Sequence, residues 1–225
     1  MNYIQDFIAG FKSLPAHGMA ALGVLLLYAV ESEIRFGKKA RAMSAGPADR
    51  WSTIAVALAS AVPVLGFIFA MRGSASTFLR ALPLWLRDPG TLPGMPAIAW
   101  LGVGLGVTGL LLRLWALLTL RQRYTRTLRV DEGHVVERGA AYKLVRHPGY
   151  LGSLLCLNGL GLASGNAVVF LATLVVTSAA YTYRIHVEEE MLVAAFGDSY
   201  ERYQREVPAL LPFLRRGRSS ADFAD

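Results

Sequence analysis

The stretch from Pro148 to Tyr183, PGYLGSLLCLNGLGLASGNAVVFLATLVVTSAAYTY, contains no charged side chain and a single break in its apolar character, Ser164-Gly165-Asn166. Turn-forming residues between two apolar runs, Leu151 to Ala163 and Ala167 to Tyr183, predict a helical hairpin. A helix crosses a hydrocarbon layer of roughly 30 Å with about 20 residues at 1.5 Å each. The first run approaches that length only if its helix starts at Pro148. Proline suits a first helical turn, because its missing amide hydrogen would have had no intrahelical partner.

Outward from this hairpin the same pattern recurs. Apolar runs of spanning or nearly spanning length occupy Ala16 to Ile34, Trp51 to Ala70 and Ala97 to Leu120. The second contains Pro63, which a membrane helix tolerates when its neighbours satisfy the freed carbonyl. With 54% hydrophobic and 17% charged residues, the chain is more apolar than a soluble core of this size requires. The expected fold is therefore all-α: a polytopic membrane protein of about five transmembrane helices with an amphipathic helical C-terminal segment in the cytoplasm. Residues 1–96 are expected to form an N-terminal transmembrane hairpin and an interfacial segment. Residues 97–215 would form the membrane domain that carries any chemistry, and 216–225 a flexible tail.

Basic residues fix the expected orientation. With five spans and the N-terminus outside, the cytoplasmic segments hold five Lys or Arg in 35–50, seven in 120–149 and six from Arg184 onward. The outer segments hold only Lys12, Arg72, Arg80 and Arg87, as the positive-inside rule requires. Topology thus accounts for the net charge of +7, and no nucleic-acid partner is expected. Asp6 and a lone Lys12 precede the first apolar run, so a retained span is expected there rather than a cleavable signal. Between Arg72 and Pro96, four prolines alternate with leucines and Trp85, a composition suited to the membrane interface. The single cysteine, Cys156, excludes an intramolecular disulfide framework and reads as a small core residue.

The third run contains Gly102-Val103-Gly104-Leu105-Gly106-Val107-Thr108-Gly109, which includes the GxGxxG string of dinucleotide-binding folds. That string has meaning only between a strand and a helix, and here it lies inside an apolar run. Gly102, Gly106 and Gly109 instead form a small-residue face for close helix contact. Arg113 follows in the same run. Such a charge either snorkels to the headgroups or marks a cavity, a partner or a function.

Two further constellations could carry chemistry. In Arg146-His147-Pro148-Gly149-Tyr150, the first two side chains stand just outside a helix start, where free amides and the helix dipole favour an anion such as a ligand carboxylate. In Arg184-Ile185-His186-Val187-Glu188-Glu189-Glu190, Arg184 and Glu188 share a helix face, and at most two of the three glutamates can face one site. The chain then breaks at Gly197 and restarts with Asp198 or Ser199 as the expected cap.

The ordered set Leu112-Arg113-x-Trp115-Ala116, Arg146-His147-Pro148-x-Tyr150-x-Gly152, Arg184-Ile185-x-x-Glu188-Glu189-x-x-Leu192, Phe196-Gly197-x-x-Tyr200-x-x-Tyr203 and Val207-Pro208 resembles the isoprenylcysteine carboxyl methyltransferase family. It is similar, more loosely, to the membrane phospholipid methyltransferases. The likeness covers Leu112 to Pro212. Ala140-Ala141 stands where the family has Gly-Pro, and Leu120-Arg121 where it has Leu-Gly.

The resemblance implies S-adenosylmethionine bound at the cytoplasmic ends of the last spans without a Rossmann domain. His147, Tyr150, Tyr142, Leu151, Glu188 and Glu189 are the implied cofactor residues. Arg184, Glu188 and Arg146 are the implied catalytic residues, with the two arginines handling the acceptor. No metal is implied. The acceptor would be lipophilic or lipidated and would enter from the bilayer, while the polar cofactor arrives from the cytoplasm.

Carboxyl O-methylation of an isoprenylcysteine-like molecule leads these expectations. An ionised carboxylate is already a nucleophile, so the reaction needs no base. It needs a dry site that holds both ends in line, and arginine suits the carboxylate. A phospholipid amine or small-thiol acceptor would instead need a proton acceptor, a part Glu188 or Glu189 could play. An NADPH-dependent membrane reductase and a non-enzymatic scaffold are the alternatives of other classes.

Overall fold

The computed structural model describes residues 15–34, 49–72, 96–120 and 138–211. The expected interfacial segment between Arg72 and Pro96, most of the two basic loops and the tail at 216–225 lie outside these residues. Among the described residues the secondary structure is entirely helical. Helices α1 (Ala16–Ile34), α2 (Ser52–Arg72) and α3 (Ala97–Leu120) coincide with the apolar runs, α2 including Pro63 without interruption. A short 3-10 turn, Ala140–Lys143, leads to α4 (Pro148–Ala163), α5 (Ala167–Phe196) and α6 (Asp198–Glu206).

The hairpin forms as its turn chemistry dictates. Pro148 opens α4 with His147 as its N-cap. At the other end Gly165 takes a positive φ of 68°, and the Asn166 side chain caps α5 by accepting from the Val169 amide at 3.0 Å. The apolar part of α5 ends at Tyr183. The helix then runs on without a break, so that Arg184 to Phe196 stands beyond that part as a polar extension. At its end the expected cap is corrected: Gly197, with φ 52°, occupies the N-cap position of α6, and Asp198 is the first helical residue. A positive φ at this junction is one that glycine adopts at least cost.

Helices α3 and α5 are long and apolar enough to cross a membrane, while the apolar parts of α1 and α2 fall short of that criterion over their described residues. The outward faces carry Leu26, Leu27, Leu101, Leu111, Leu118, Leu171 and Val175, all exposed. Thr173, Thr177, Asn158 and Ser153 are buried instead. Apolar outside and polar inside suits hydrocarbon surroundings better than water.

Helix α4 is the hub, packing on α1, α2, α3 and α5. Its seam with α3 is the tightest. A Cβ added at Gly102 would stand 2.5 Å from the Ala163 backbone nitrogen, and one at Gly159 would stand 2.6 Å from the Gly102 carbonyl. Two turns along, the same holds for Gly109 against the Gly152 carbonyl at 2.5 Å and for Gly152 against the Gly109 carbonyl at 2.6 Å. The expected small-residue face on α3 is therefore matched by a second on α4, running antiparallel. Gly106 keeps its backbone in the seam, its nitrogen 2.6 Å from a Cβ added at Gly159, while its own Cβ would face Val24 of α1 at 3.2 Å.

Candidate active site

At the end of the bundle where α4 begins and the apolar part of α5 stops, the two sequence constellations meet. Arg146 donates from Nε to Glu189 Oε1 at 2.7 Å, and from Nη1 to the carbonyls of Gln204 (2.9 Å) and Val207. His147 Nε2 lies 2.9 Å from the same Glu189 oxygen. Gln204 donates to the other carboxylate oxygen at 3.1 Å. Backbone bonds hold the strand-like entry to α4 in place: the amides of Arg146 and His147 donate to the carbonyls of Pro208 (2.9 Å) and Ala209 (3.0 Å). The anion expected at this helix start is thus supplied by the chain's own Glu189.

The second cluster lies one helical turn along α4. Tyr150 donates its hydroxyl proton to Glu188 Oε2 at 2.5 Å and accepts from Arg184 Nε at 3.0 Å. Its ring stacks on His147 at 5.6 Å with planes 12° apart, and tilts against Tyr181 at 5.6 Å. Arg184 is only 4% exposed. Its Nη1 donates to Asp49 Oδ1, Ser52 Oγ (2.8 Å) and Thr53 Oγ1 (2.8 Å). The question left open by three consecutive glutamates is answered by helix rotation. Glu188 and Glu189 turn toward α4, whereas Glu190 pairs with Arg50 at 2.6 Å and His186 at 3.0 Å on the rim.

Of the other residues singled out, Tyr142 contributes its carbonyl, which accepts from Tyr203 Oη at 2.6 Å and fastens α6 to the 3-10 turn. Leu151 is half-buried on α4, its amide bonded to the His147 carbonyl. Arg113 lies outside this cluster and does not snorkel. It is buried, its Nε donating to Glu31 Oε2 at 2.8 Å and its Nη1 to Ser153 Oγ at 2.7 Å, with the guanidinium over the Tyr28 ring at 5.0 Å.

Asp49, Ser52 and Thr53 went unread in the sequence, where they fell at the edge of a basic loop. Asp49 accepts from the Thr53 amide at 3.2 Å and from the hydroxyls of Thr53 (2.8 Å) and Ser52 (3.1 Å). That is the pattern of an acidic residue at a helix start, the one signal that could have drawn attention to it.

Electrostatics follow the contacts. Burial alone would raise the Glu189 carboxyl, but hydrogen bonds from His147 and Arg146, reinforced by charge, carry it down to about 2. Tyr200 of α6 is buried close by; burial, and then the carboxylates of Glu189 and Glu188, push its phenol well above the usual range. Because the folded Glu189 carboxyl titrates below its ordinary 4.5, its stabilisation is complete above that pH and is lost as pH falls toward about 2. Melting temperatures should therefore show wild type more stable than Glu189→Gln near neutrality, with the gap closing across that acid window. A gap independent of pH would contradict the assignment.

The profile of the family described as phospholipid methyltransferase matches residues 97–199. Protein-S-isoprenylcysteine O-methyltransferase of Schizosaccharomyces pombe is 36% identical over 84 residues, covering 37% of this chain and 36% of that one. Methanethiol S-methyltransferase of Pseudomonas deceptionensis is 38% identical over 81 residues, covering 36% and 30%. The chain thus spans about a third of the length of each. The solved structure of the eukaryotic intramembrane Ras methyltransferase ICMT is similar with a TM-score of 0.59 over 90% of this chain and 70% of that one. At 19% identity this last likeness concerns the fold.

Proposed function

We propose that this chain, whose residues 97–199 match the phospholipid methyltransferase family model, is an integral-membrane, S-adenosylmethionine-dependent methyltransferase that esterifies the carboxylate of a lipophilic, isoprenylcysteine-like acceptor. The observation that carries this reading is the meeting of Arg146, His147 and Tyr150 with Arg184, Glu188 and Glu189 at one polar end of an apolar helical bundle. In five-span order, the end of α1, the start of α2, the end of α3, the start of α4 and the end of the apolar part of α5 share one side. Contacts between Glu31, Arg113 and Ser153, and between Asp49 and Arg184, agree with that alternation. The excess of Lys and Arg in the segments on this side supports assigning it to the cytoplasm.

The residues suit the cofactor. Its sulfonium and ammonium are cations, which carboxylates and aromatic faces attract. His147, Tyr150, Glu188 and Glu189 would hold it, with Tyr142 and Leu151 at the margin. When bound, S-adenosylmethionine supplies an electrophilic methyl whose bond to sulfur breaks as its bond to the acceptor oxygen forms, the sulfur keeping the electron pair. The protein's part is to orient both reactants and exclude water. Arg184 and Arg146 would supply positive charge to the acceptor carboxylate, and Glu188, held by Tyr150, would help hold the donor.

The likeness to methanethiol S-methyltransferase favours one second reading, a small thiol acceptor. Labelled donor offered to the purified chain in nanodiscs with a prenylcysteine analogue, its methyl ester, phosphatidylethanolamine or a small thiol separates the cases. Methylation of the free prenylcysteine analogue alone is expected. Labelling only of the thiol or of the phospholipid would reject the carboxylate acceptor. His147→Ala and Glu188→Gln should each weaken donor binding about tenfold or more, the effect of losing roughly 1.4 kcal/mol. Donor binding by neither wild type nor variants would return the chain to a scaffold.

A further inference from the structure

Three of the residues that hold Arg184, namely Asp49, Ser52 and Thr53, come from outside the family-matched segment. Asp49 is fully buried and sits at the entry to α2, 135 residues away from Arg184 in sequence. The turn holding it is conformationally costly: Arg50 and Trp51 both take positive φ, 46° and 64°, which non-glycine residues seldom do. It is also tied down twice from α5, by the Tyr183 hydroxyl donating to the Arg50 carbonyl at 2.7 Å and by Glu190 pairing with the Arg50 side chain. Two adjacent left-handed residues persist only where their surroundings over-determine them. Here the outcome of that turn is to bring one carboxylate and two hydroxyls onto a single guanidinium nitrogen.

A relay leads from this turn into the proposed site. Asp49, Ser52 and Thr53 hold Arg184; Arg184 Nε donates to the Tyr150 hydroxyl; the Tyr150 hydroxyl donates a hydrogen bond to Glu188. We infer that Asp49 is a positioning residue of the methyl-transfer site, acting through Arg184 to set the Tyr150–Glu188 pair, so that the α2 entry completes a site the matched segment does not build alone. The physical reason is competition for one cation. Arg184 and Glu188 are one turn apart on α5 and are natural ion-pair partners. With Asp49 in place the guanidinium is pulled toward α2, and Glu188 is left to Tyr150. Without that carboxylate, Arg184 would turn to Glu188 and draw it from the tyrosine.

The inference rests on the methyltransferase reading for its consequence but not for its first test. In full-length protein carrying ¹³C-labelled tyrosine, with the Tyr150 ring carbon assigned by Tyr150→Phe, Asp49→Asn is expected to shift that resonance without any ligand present. The double variant Asp49→Asn with Arg184→Gln should match Arg184→Gln alone, since Asp49 acts only through the arginine. Calorimetry with S-adenosylmethionine should then show at least a tenfold weaker Kd for Asp49→Asn, with substantial recovery in Asp49→Glu. If Asp49→Asn fails to fold, Ser52→Ala and Thr53→Val each remove one hydroxyl and should move the resonance and Kd the same way, by two- to fivefold in Kd.

An unmoved Tyr150 resonance overturns the inference. So does a lower melting temperature with donor Kd within twofold of wild type, the signature of a merely structural carboxylate. Failure of the wild type to bind donor overturns the methyltransferase reading instead, and the ligand-free resonance then stands alone for or against the relay.

Discussion

Gly152→Val on α4 will separate α3 from α4 and abolish binding of the proposed donor, whereas Gly104→Ala on α3 will leave both fold and binding intact. The contrast comes from what each new Cβ meets. At Gly152 it meets the Gly109 carbonyl at 2.6 Å and the Arg113 amide nitrogen at 2.7 Å, both backbone atoms with no rotamer to change. At Gly104 it meets nothing within 4 Å. Overpacking against side chains costs about 1–3 kcal/mol, and a backbone obstacle belongs at or above the upper end of that range. The loss reaches the site because the first turn of α4 carries His147 and Tyr150. Alanine at Gly109 and Gly152 together should cost less than the sum of the singles, since helices already parted for one methyl accommodate the second. Thermal unfolding in nanodiscs, with calorimetry for the donor, measures both effects. Tolerance of Gly152→Val, or a clear loss in Gly104→Ala, would remove the seam from the account.

What could be read in the sequence divides along a physical line. Helix positions were legible because each apolar run ends at residues with strong local preferences: Pro148 at a helix start, Ser164-Gly165-Asn166 between two helices, Gly197 at a reversal. The halves of the candidate site were legible as ordered motifs, Arg146 to Gly152 and Arg184 to Glu189. Their mutual pairing was not, because which glutamate meets which partner depends on how α5 is rotated against α4, and packing sets that rotation. Which partners Asp49 and Glu31 take was illegible for a stronger reason. Their partners lie 135 and 82 residues away, and no local spacing encodes a contact made only when α1 and α2 dock. The same blindness hid the glycines of α4 that complete the seam. Gly102 and Gly109 announced a close contact, but the identity of the opposing helix is a tertiary fact.

Arg113→Leu alone will be strongly destabilising, whereas Arg113→Leu combined with Glu31→Leu will recover most of the stability. The ion pair is buried on both sides, with side-chain exposure of 9% for Arg113 and 6% for Glu31. Removing one partner from such a pair leaves an uncompensated charge and costs about 3–5 kcal/mol. Removing both eliminates the desolvation of two ions, which a buried pair repays only when the remaining donors and acceptors are satisfied. Glu31 falls short of that condition: its Oε1 has no hydrogen-bond partner among the described residues. The pair therefore contributes little net stability relative to two leucines, even though breaking it is costly. Ser153 loses its guanidinium contact in the double variant but keeps its bond to the Gly149 carbonyl at 3.0 Å. If the double variant also binds donor normally, the pair serves only to place α1 against α3. If it folds as predicted yet loses donor binding, Arg113 acts on the site through Ser153, which lies one turn beyond Gly149 and Tyr150 on α4. A double variant as unstable as Arg113→Leu would show instead that the charges themselves hold α1 in place.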